Sequence, residues 1–418
     1  MRKLPKLIFL KHLSQACVMG LAVVWFGATA SATVALPRTF SADPATLVAS
    51  KAALASGDAT LKPALDSLLS DANDLLKRRT PSVMDKDNPP ASGDKHDFMS
   101  QAPYYWPDTN SPDGYVRRDG ERNPEAGRNS DAGNWYFITQ SAHTLALAYY
   151  FTGDEKYAAK AAAFTHVWFL DPATKMNPNL NYGQGIPGMV EGRSAGLIAG
   201  RCLANEVDAI GLLAGSTNWT AADQEGMEAW GRGYFHWLRT SSNGKGEDAA
   251  TNNHGTWYDV QAVSLALFLG DTNFAREKVL AAREVRIDRE IQPDGKMPRE
   301  LARTLSFNYS VFNLTAEMQL ADLANRIGVD LWHYQGPQGQ SILKAVEFMA
   351  PYIDRSKKWP YQEIGRPNRD DLVVLLMRAQ AEYPDSSILE ESLRFNISED
   401  RADNPQWLYL KMGPMRTK

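Results

Sequence analysis

The chain has 418 residues, 44% hydrophobic and 22% charged, with a formal net charge of −4 at pH 7. That balance excludes long disorder, collagen and coiled coil, and a chain of this length can bury a large core in one or two domains. Aromatic residues make up 10%, with 11 Trp and 16 Tyr, which suits the flat faces of sugars as well as a large core.

The first 32 residues read as a secretory signal. Arg2, Lys3, Lys6 and Lys11 form a basic start, an apolar run extends from about Ala16 to Ala28, and Ala30-Ser31-Ala32 offers a small-x-small cleavage site. The run is too short to span a bilayer. Cys17 precedes most of it, which argues against a lipid anchor, and no later apolar run is long enough to cross a membrane. Removing the segment takes four of the 45 basic residues and no acids, leaving 41 Lys and Arg against 49 Asp and Glu, a net charge of −8. Nucleic-acid binding through a global basic field is thereby excluded, and a polyanionic substrate requires a local basic groove. Cys202 is the only cysteine beyond the signal, so no internal disulfide is possible. An exported, periplasmic protein without a membrane anchor is the expected class.

Helical periodicity then dominates. Leucines at helical spacing predict an amphipathic helix over 62–78. An irregular stretch from about Thr80 to Ser130 follows, rich in Pro, Gly, Asp and Asn. Loops of this length inside a domain are functional or disordered, and the run Tyr104-Tyr105-Trp106 argues against disorder. From Asn134 onward, apolar periodicity predicts helices over 134–151, 155–169, 191–214, 222–238, 256–269, 273–290, 308–327, 339–354 and 368–382, separated by short Gly, Asn and Pro breaks. Strand-type alternation is scarce. Paired helices joined by short turns predict a single all-α domain over 33–418, an array of hairpins closed as an α/α toroid or left open as a solenoid. Ala146 to Lys160 is similar to the turn of one tetratricopeptide hairpin, but no 34-residue period recurs, which disfavours a repeat scaffold.

Of seven histidines, His12 lies in the signal, and His166 and His236 sit in aromatic-rich helical stretches where packing accounts for them. His254 lies in Thr251-Asn252-Asn253-His254-Gly255-Thr256-Trp257-Tyr258, at the junction between the polar break 241–253 and the next helix. Two amides beside an imidazole at a helix N-terminus offer donors for an anion and a group that titrates near neutral pH. An asparagine cap beside an incidental histidine explains the same residues. Farther on, Arg303 and Tyr309 are six residues apart, with Ser306 and Asn308 between them. On a continuous helix they would diverge by roughly 120°. A break near Leu305–Phe307 brings both to one cleft; a surface arginine and a packed tyrosine is the alternative. The motifs HExxH, CxxC, GxSxG, GxGxxG and the Walker loop are all absent, which removes the usual anchors of zincin, redox, serine-hydrolase and nucleotide readings. Asp259 and Glu191 are candidate glycosidase carboxylates that nothing singles out.

Four segments in order, KHDFMSQAPYYWPD (95–108), WFLDPATKMNPNLNYGQG (168–185), NNHGTWYD (252–259) and RELARTLSFNY (299–309), resemble the alginate-lyase-like polysaccharide lyases. The likeness is strongest to family thirty-eight, which includes alginate and glucuronan lyases, and more distant to the family-five alginate lyases. It spans about 95–363. The resemblance implies an incomplete α/α toroid with a long open cleft, and β-elimination on a 4-linked polyuronate, an anionic polysaccharide. It also implies that Asn253 and Arg303 neutralise the uronate carboxylate and that His254 and Tyr309 are catalytic. No metal or cofactor is then required, and the sequence has no acidic calcium loop. In family five the Arg–Tyr spacing is one residue longer, which makes Arg299 the alternative to Arg303. Lys95, Tyr104, Tyr105, Trp106, Arg117 and Arg118 are expected to line subsites, with Gln184, Arg193 and Tyr258 as further candidates. Loop anchoring by Tyr105 and Trp106, and a solvated cluster of Arg117 and Arg118 with Asp119, Glu121 and Arg122, are the structural alternatives. A glycoside hydrolase on an α/α scaffold and a non-catalytic polyuronate-binding protein are the competing functions.

Overall fold

The computed structural model describes residues 36–128, 130–394 and 402–413; the expected export signal over 1–32 lies outside them. The first helix, α1 (Pro44–Ala55), is capped by the Asp43 carboxylate on the Thr46 N–H, and α2 (Lys62–Leu76) buries Ala64, Leu68 and Ala72. The described residues of the polar stretch after α2 form short strands and two 3-10 turns, Val83–Asp85 and Pro124–Gly127. β2 (Tyr105–Pro107) and β3 (Tyr115–Arg117) pair as an antiparallel ribbon, while β1 (Met99–Gln101) runs parallel to β4 (Tyr182–Gly185). One buried ion pair staples the two ends of this stretch together. Lys86 Nζ lies 3.0 Å from Asp131 Oδ2, with both side chains 2% exposed. The same carboxylate accepts the Met99 N–H at 2.8 Å. Burial raises the Asp131 carboxyl to about 6 against the pull of Lys86, and burial lowers the Lys86 ammonium. The pair therefore fixes position at the expense of desolvation.

From α3 (Ala132–Thr152) onward the helices fold back in hairpins. Gly153 takes φ 71° to end α3, and Asp154 caps α4 (Glu155–Thr165) through the Lys156 N–H. Then come α5 (Leu203–Leu212), α6 (Ala221–Thr240), α7 (Ser242–Asp248) and α8 (Asn253–Leu269). At the end of α8 the Gly-Asp device recurs: Gly270 turns at φ 80°, and Asp271 accepts the Phe274 N–H to start α9 (Thr272–Ala282). Glycine reaches the left-handed region without penalty, and the short acidic side chain satisfies an N–H that the new helix leaves open. The remaining helices are α10 (Pro298–Leu301), α11 (Ser306–Asn325), α12 (Ile342–Met349), α13 (Arg369–Glu382) and α14 (Ser387–Arg394).

Fifteen of the seventeen residues of α8 are buried, so it has no solvated face and runs through the middle of the fold, against α5, α6, α9 and α11. α3 packs on α4 and α5. The result is an incomplete α/α toroid, and the described residues from Leu36 on fall in one compact unit. Several predicted helices change pitch before they end. The stretches 155–169 and 273–290 finish in π turns over His166–Leu170 and Arg283–Asp288, and 191–214 is a 3-10 turn over Ser194–Cys202 leading into α5.

Candidate active site

α8 starts at Asn253, three residues before the periodicity predicts, which puts Asn253 and His254 inside its first turn. N–H groups there have no intrahelical partner. Glu300 of α10 supplies one, accepting the Asn253 N–H at 2.7 Å. The same carboxylate takes Asn253 Nδ2 at 3.0 and 2.8 Å, so this amide is turned onto Glu300 rather than held out as the expected donor to a substrate carboxylate. His254 is aimed from α7: its Nδ1 lies 2.6 Å from Oε1 of Glu247, a residue 2% exposed. A carboxylate only accepts, which assigns a ring proton to Nδ1 and leaves Nε2 unengaged by Glu247. Gly255 is required next to it. A Cβ there would overlap the Ala250 carbonyl and the guanidinium of Arg286. Arg286 is buried, donates to the Ala250 and Asp248 carbonyls at 2.6 and 2.8 Å, and pairs with Asp259 at 2.8 Å, which fixes the α7–α8 turn.

The second half of the site is built on the break between α10 and α11. The break falls at residues 302–305, slightly earlier than predicted, with Arg303 inside it and Tyr309 in the first turn of α11. Ser306 donates both its N–H and its hydroxyl to the Gln362 carbonyl, and Glu363 accepts the Phe307 N–H at 2.8 Å, which pins α11 at its start. The Arg303 guanidinium carbon then sits 3.7 Å from the centroid of the Tyr309 ring. Asp119 holds that guanidinium through Nε at 2.9 Å and Nη2 at 2.7 Å. Burial pushes the Asp119 carboxyl up, but Arg303, the Thr304 N–H and Arg117 outweigh it and bring it down to about 2. The Tyr309 hydroxyl shares a 2.5 Å hydrogen bond with the Tyr104 hydroxyl. Burial and Tyr104 push the Tyr309 phenol well above its usual value, with Arg303 opposing, so it carries its proton at neutral pH.

These groups face a cleft of about 670 Å³. Among the described residues Arg117, Arg122, Arg193, Arg201 and Arg303 line it, and no Asp or Glu does. This is the local basic groove that a polyanion requires of an acidic chain. Arg193 donates to Gln184 Oε1 at 2.6 Å and stands 5.2 Å over the Tyr105 ring. Gln184 is the only non-glycine residue with positive φ (51°) among the described residues. Backbone strain of this kind, about 1–3 kcal/mol, concentrates at functional sites.

Of the residues expected from the sequence, the cleft brings together Asn253, His254, Arg303, Tyr309, Tyr104, Arg117, Gln184 and Arg193. Lys95, Tyr105, Trp106, Arg118, Tyr258 and Arg299 are not among its lining residues. Tyr258 is 3% exposed and gives its hydroxyl to the Leu238 carbonyl at 3.3 Å, which makes it a packing residue. Trp106 donates to the Glu121 carbonyl at 2.9 Å and carries Arg118 at 5.2 Å over its ring, so both anchor the β2–β3 ribbon. Tyr105 supports Arg193 from below the lining. Lys95 offers its carbonyl to Lys86 Nζ at 2.6 Å. Arg299 is exposed on α10 away from the lining, whereas Arg303, to which it was the alternative, lines the cleft. Sequence reasoning passes over two partners, Glu247 and Glu300, and places the third, Asp119, only in a solvated charge cluster. They stand 7, 47 and 184 residues from the groups they hold, and no periodicity marks them.

The family model described as Alginate lyase matches residues 82–359. The crystal structure of an alginate lyase from Bacteroides ovatus is similar at 38% identity and a TM-score of 0.84, covering 89% of this chain and 99% of that one. Alginate lyase A1-III from Sphingomonas species A1 shares the fold at 17% identity and a TM-score of 0.56, covering 91% and 98%. A variant of that enzyme complexed with tetrasaccharide shares it at 18% identity and a TM-score of 0.54, covering 86% and 91%. No curated protein matches the chain.

Proposed function

The chain belongs to the alginate lyase family, and from that premise we propose that this polysaccharide lyase cleaves a 4-linked polyuronate by β-elimination at Tyr309 and His254. One observation carries the reading. A protonated phenol, a guanidinium stacked on it and an imidazole oriented by a carboxylate all line one arginine-rich cleft.

In the reaction a base removes the C5 proton, the C4–O4 bond breaks, and the electron pair becomes the C4–C5 double bond. The C5 proton is weakly acidic while the adjacent carboxylate keeps its full charge. Arg303 supplies the neutralising charge, with Nη1 free of hydrogen bonds among the described residues; the Asn253 amide joins it only by leaving Glu300. Stereochemistry divides the remaining work. In β-D-mannuronate and β-D-glucuronate, H5 and O4 lie on one side of the ring. Tyr309, after yielding its proton to His254, then takes H5 and returns a proton to O4. In α-L-guluronate the two groups are opposed, so His254 Nε2 takes H5 while Tyr309 protonates O4.

The test is ultraviolet absorbance of the unsaturated uronate, with polymannuronate, polyguluronate and glucuronan supplied separately. A rise on one polymer that vanishes in Tyr309→Phe is the expected result. New reducing ends without absorbance would put a hydrolase in its place. Export of the chain belongs to the same proposal, and a mature mass beginning at Thr33 in the periplasmic fraction checks it.

A further inference from the structure

Two amides precede His254, and the fold puts them to different uses. Asn253 and Glu300 are each 1% exposed, and both the N–H and the Nδ2 of Asn253 are spent on that carboxylate. Burial pushes the Glu300 carboxyl up, and its contacts with Asn253 are the strongest opposing influence, ahead of Arg303 and His254. Turning the Asn253 amide toward a substrate would strand a buried carboxylate with the backbone N–H alone, and an unmade bond at a buried charge is costly.

Asn252 stands in the opposite position. Its backbone is extended, with φ −150° and ψ −170°, and its carbonyl accepts the Gly255 N–H at 2.8 Å, so it occupies the cap of α8. A polar residue there ordinarily turns its side chain onto an N–H of the first turn, as Asp43, Thr220, Ser341 and Asn368 do for their helices. The Asn252 side chain makes no such bond, and its amide has no hydrogen-bond partner among the described residues. The residue is half-buried and opens onto the cleft that His254, Arg303 and Tyr309 also line. One amide of the pair is therefore locked in the fold, and the other is spare at the surface that meets the glycan.

We propose that Asn252, and not Asn253, gives the amide N–H that neutralises the uronate carboxylate beside Arg303, and that Asn253 is a positioning residue tying α8 to α10. The inference rests on the polyuronate reading above. Arg303 Nη1 meets one carboxylate oxygen and Asn252 Nδ2 the other, and together they stabilise the charge that moves onto the carboxylate as C5 loses its proton. Asn253 stays on Glu300 throughout, which holds His254 in register with Arg303.

The experiment compares Asn252→Ala, Asn252→Asp and Asn253→Ala in the full chain. The readouts are the initial rate of absorbance increase on polymannuronate, polyguluronate and glucuronan, and the thermal midpoint. Asn252→Ala is expected to lower kcat/KM about a hundredfold with the midpoint within about 1 °C of the parent, since no bond inside the protein is lost. Asn252→Asp separates a donor from a cap. Aspartate caps a helix as well as asparagine does, so a structural role survives the change. A donor to a carboxylate becomes a like charge instead, and the rate is expected to fall below that of Asn252→Ala. Asn253→Ala is expected to lower the midpoint by about 2–3 °C. An Asn252→Ala protein within threefold of the parent's kcat/KM overturns the assignment, as does an Asn252→Asp protein more active than Asn252→Ala. An unchanged midpoint in Asn253→Ala overturns its positioning role. The Asn252 variants combined with Tyr309→Phe are also titrated calorimetrically with saturated tetramers of the three uronates, and Asn252→Asp is expected to lose about tenfold in affinity. That loss in a chain whose parent yields no unsaturated product overturns the lyase reading and leaves Asn252 as the carboxylate's partner. Equal affinity, or no binding, in such a chain overturns both.

Discussion

The hydrogen bond between Glu247 and His254 offers the sharpest perturbation of the site, because Glu247 does not line the cleft and acts only through the imidazole. Glu247→Gln keeps an oxygen acceptor opposite the Nδ1 proton and removes the charge. The bond is 2.6 Å long, with side-chain exposures of 3% for Glu247 and 23% for His254, so water screens it from the imidazole side only. Hydrogen bonds to charged groups contribute about 1.5–3 kcal/mol, and the partial exposure of His254 puts this one at about 2 kcal/mol. In the proposed mechanism the imidazole gains positive charge as it accepts a proton, so the contribution is felt in the transition state and its loss is expected to lower kcat by about thirtyfold. KM is expected to stay within about twofold, since no group that touches the glycan has changed. The assay is the initial rate of absorbance increase at saturating and subsaturating polymer, with the thermal midpoint as the folding control. Glu247→Ala, which also frees the ring to rotate, is expected to lose more. A Glu247→Gln protein with an unchanged midpoint and a kcat within threefold of the parent would refute the reasoning.

Tyr104→Phe removes the 2.5 Å hydrogen bond to the Tyr309 hydroxyl and is expected to lower kcat about tenfold with the thermal midpoint unchanged; steady-state kinetics checks it. Asp119 stabilises the fold only where it is ionised. Its carboxyl is held at about 2 against the usual 3.8, so the contribution is full above about pH 4 and is lost as pH falls toward 2. Partial exposure limits it to about 1 kcal/mol, so the decline in thermal midpoint between pH 4 and 2 is expected to be about 1 °C smaller in Asp119→Asn. Gly255→Ala drives a methyl into the Ala250 carbonyl and Arg286, and urea denaturation is expected to show a loss of about 3 kcal/mol or more; a loss under 1 kcal/mol would contradict the close approach.

Long apolar helices such as α3, α6, α8 and α11 are legible in the sequence to within about three residues, because their burial imposes a helical period on many positions at once. α7 is not legible. Its sequence, SNGKGED, has two glycines and no apolar residue, and it reads as a break. It forms because Gly244 packs directly on the Leu238 carbonyl at the end of α6, a tertiary contact that overrides propensity. That failure hides Glu247, which α7 carries to His254. α1 escapes for a different reason: its apolar residues are spread around the helix and mark no face. In the site, His254, Arg303 and Tyr309 are singled out in the sequence by the family resemblance of the motifs that carry them, and the structure brings all three to one cleft. The carboxylates that hold them are not singled out, since many of the 49 acids stand at comparable distances along the chain.

The Lys86–Asp131 staple has a consequence for how such an enzyme diversifies. The ribbon from Pro103 to Asn123, which brings Tyr104 and Arg117 to the cleft, adds little to the helical core and hangs from the staple and the β1–β4 pair. A lineage can exchange this ribbon for another without solving the packing of the toroid again. Substrate range and fold stability are then inherited as separate modules, under one condition. Any replacement ribbon has to return a carboxylate to the place of Asp119, because the guanidinium of Arg303, 184 residues farther along the chain, is held by it.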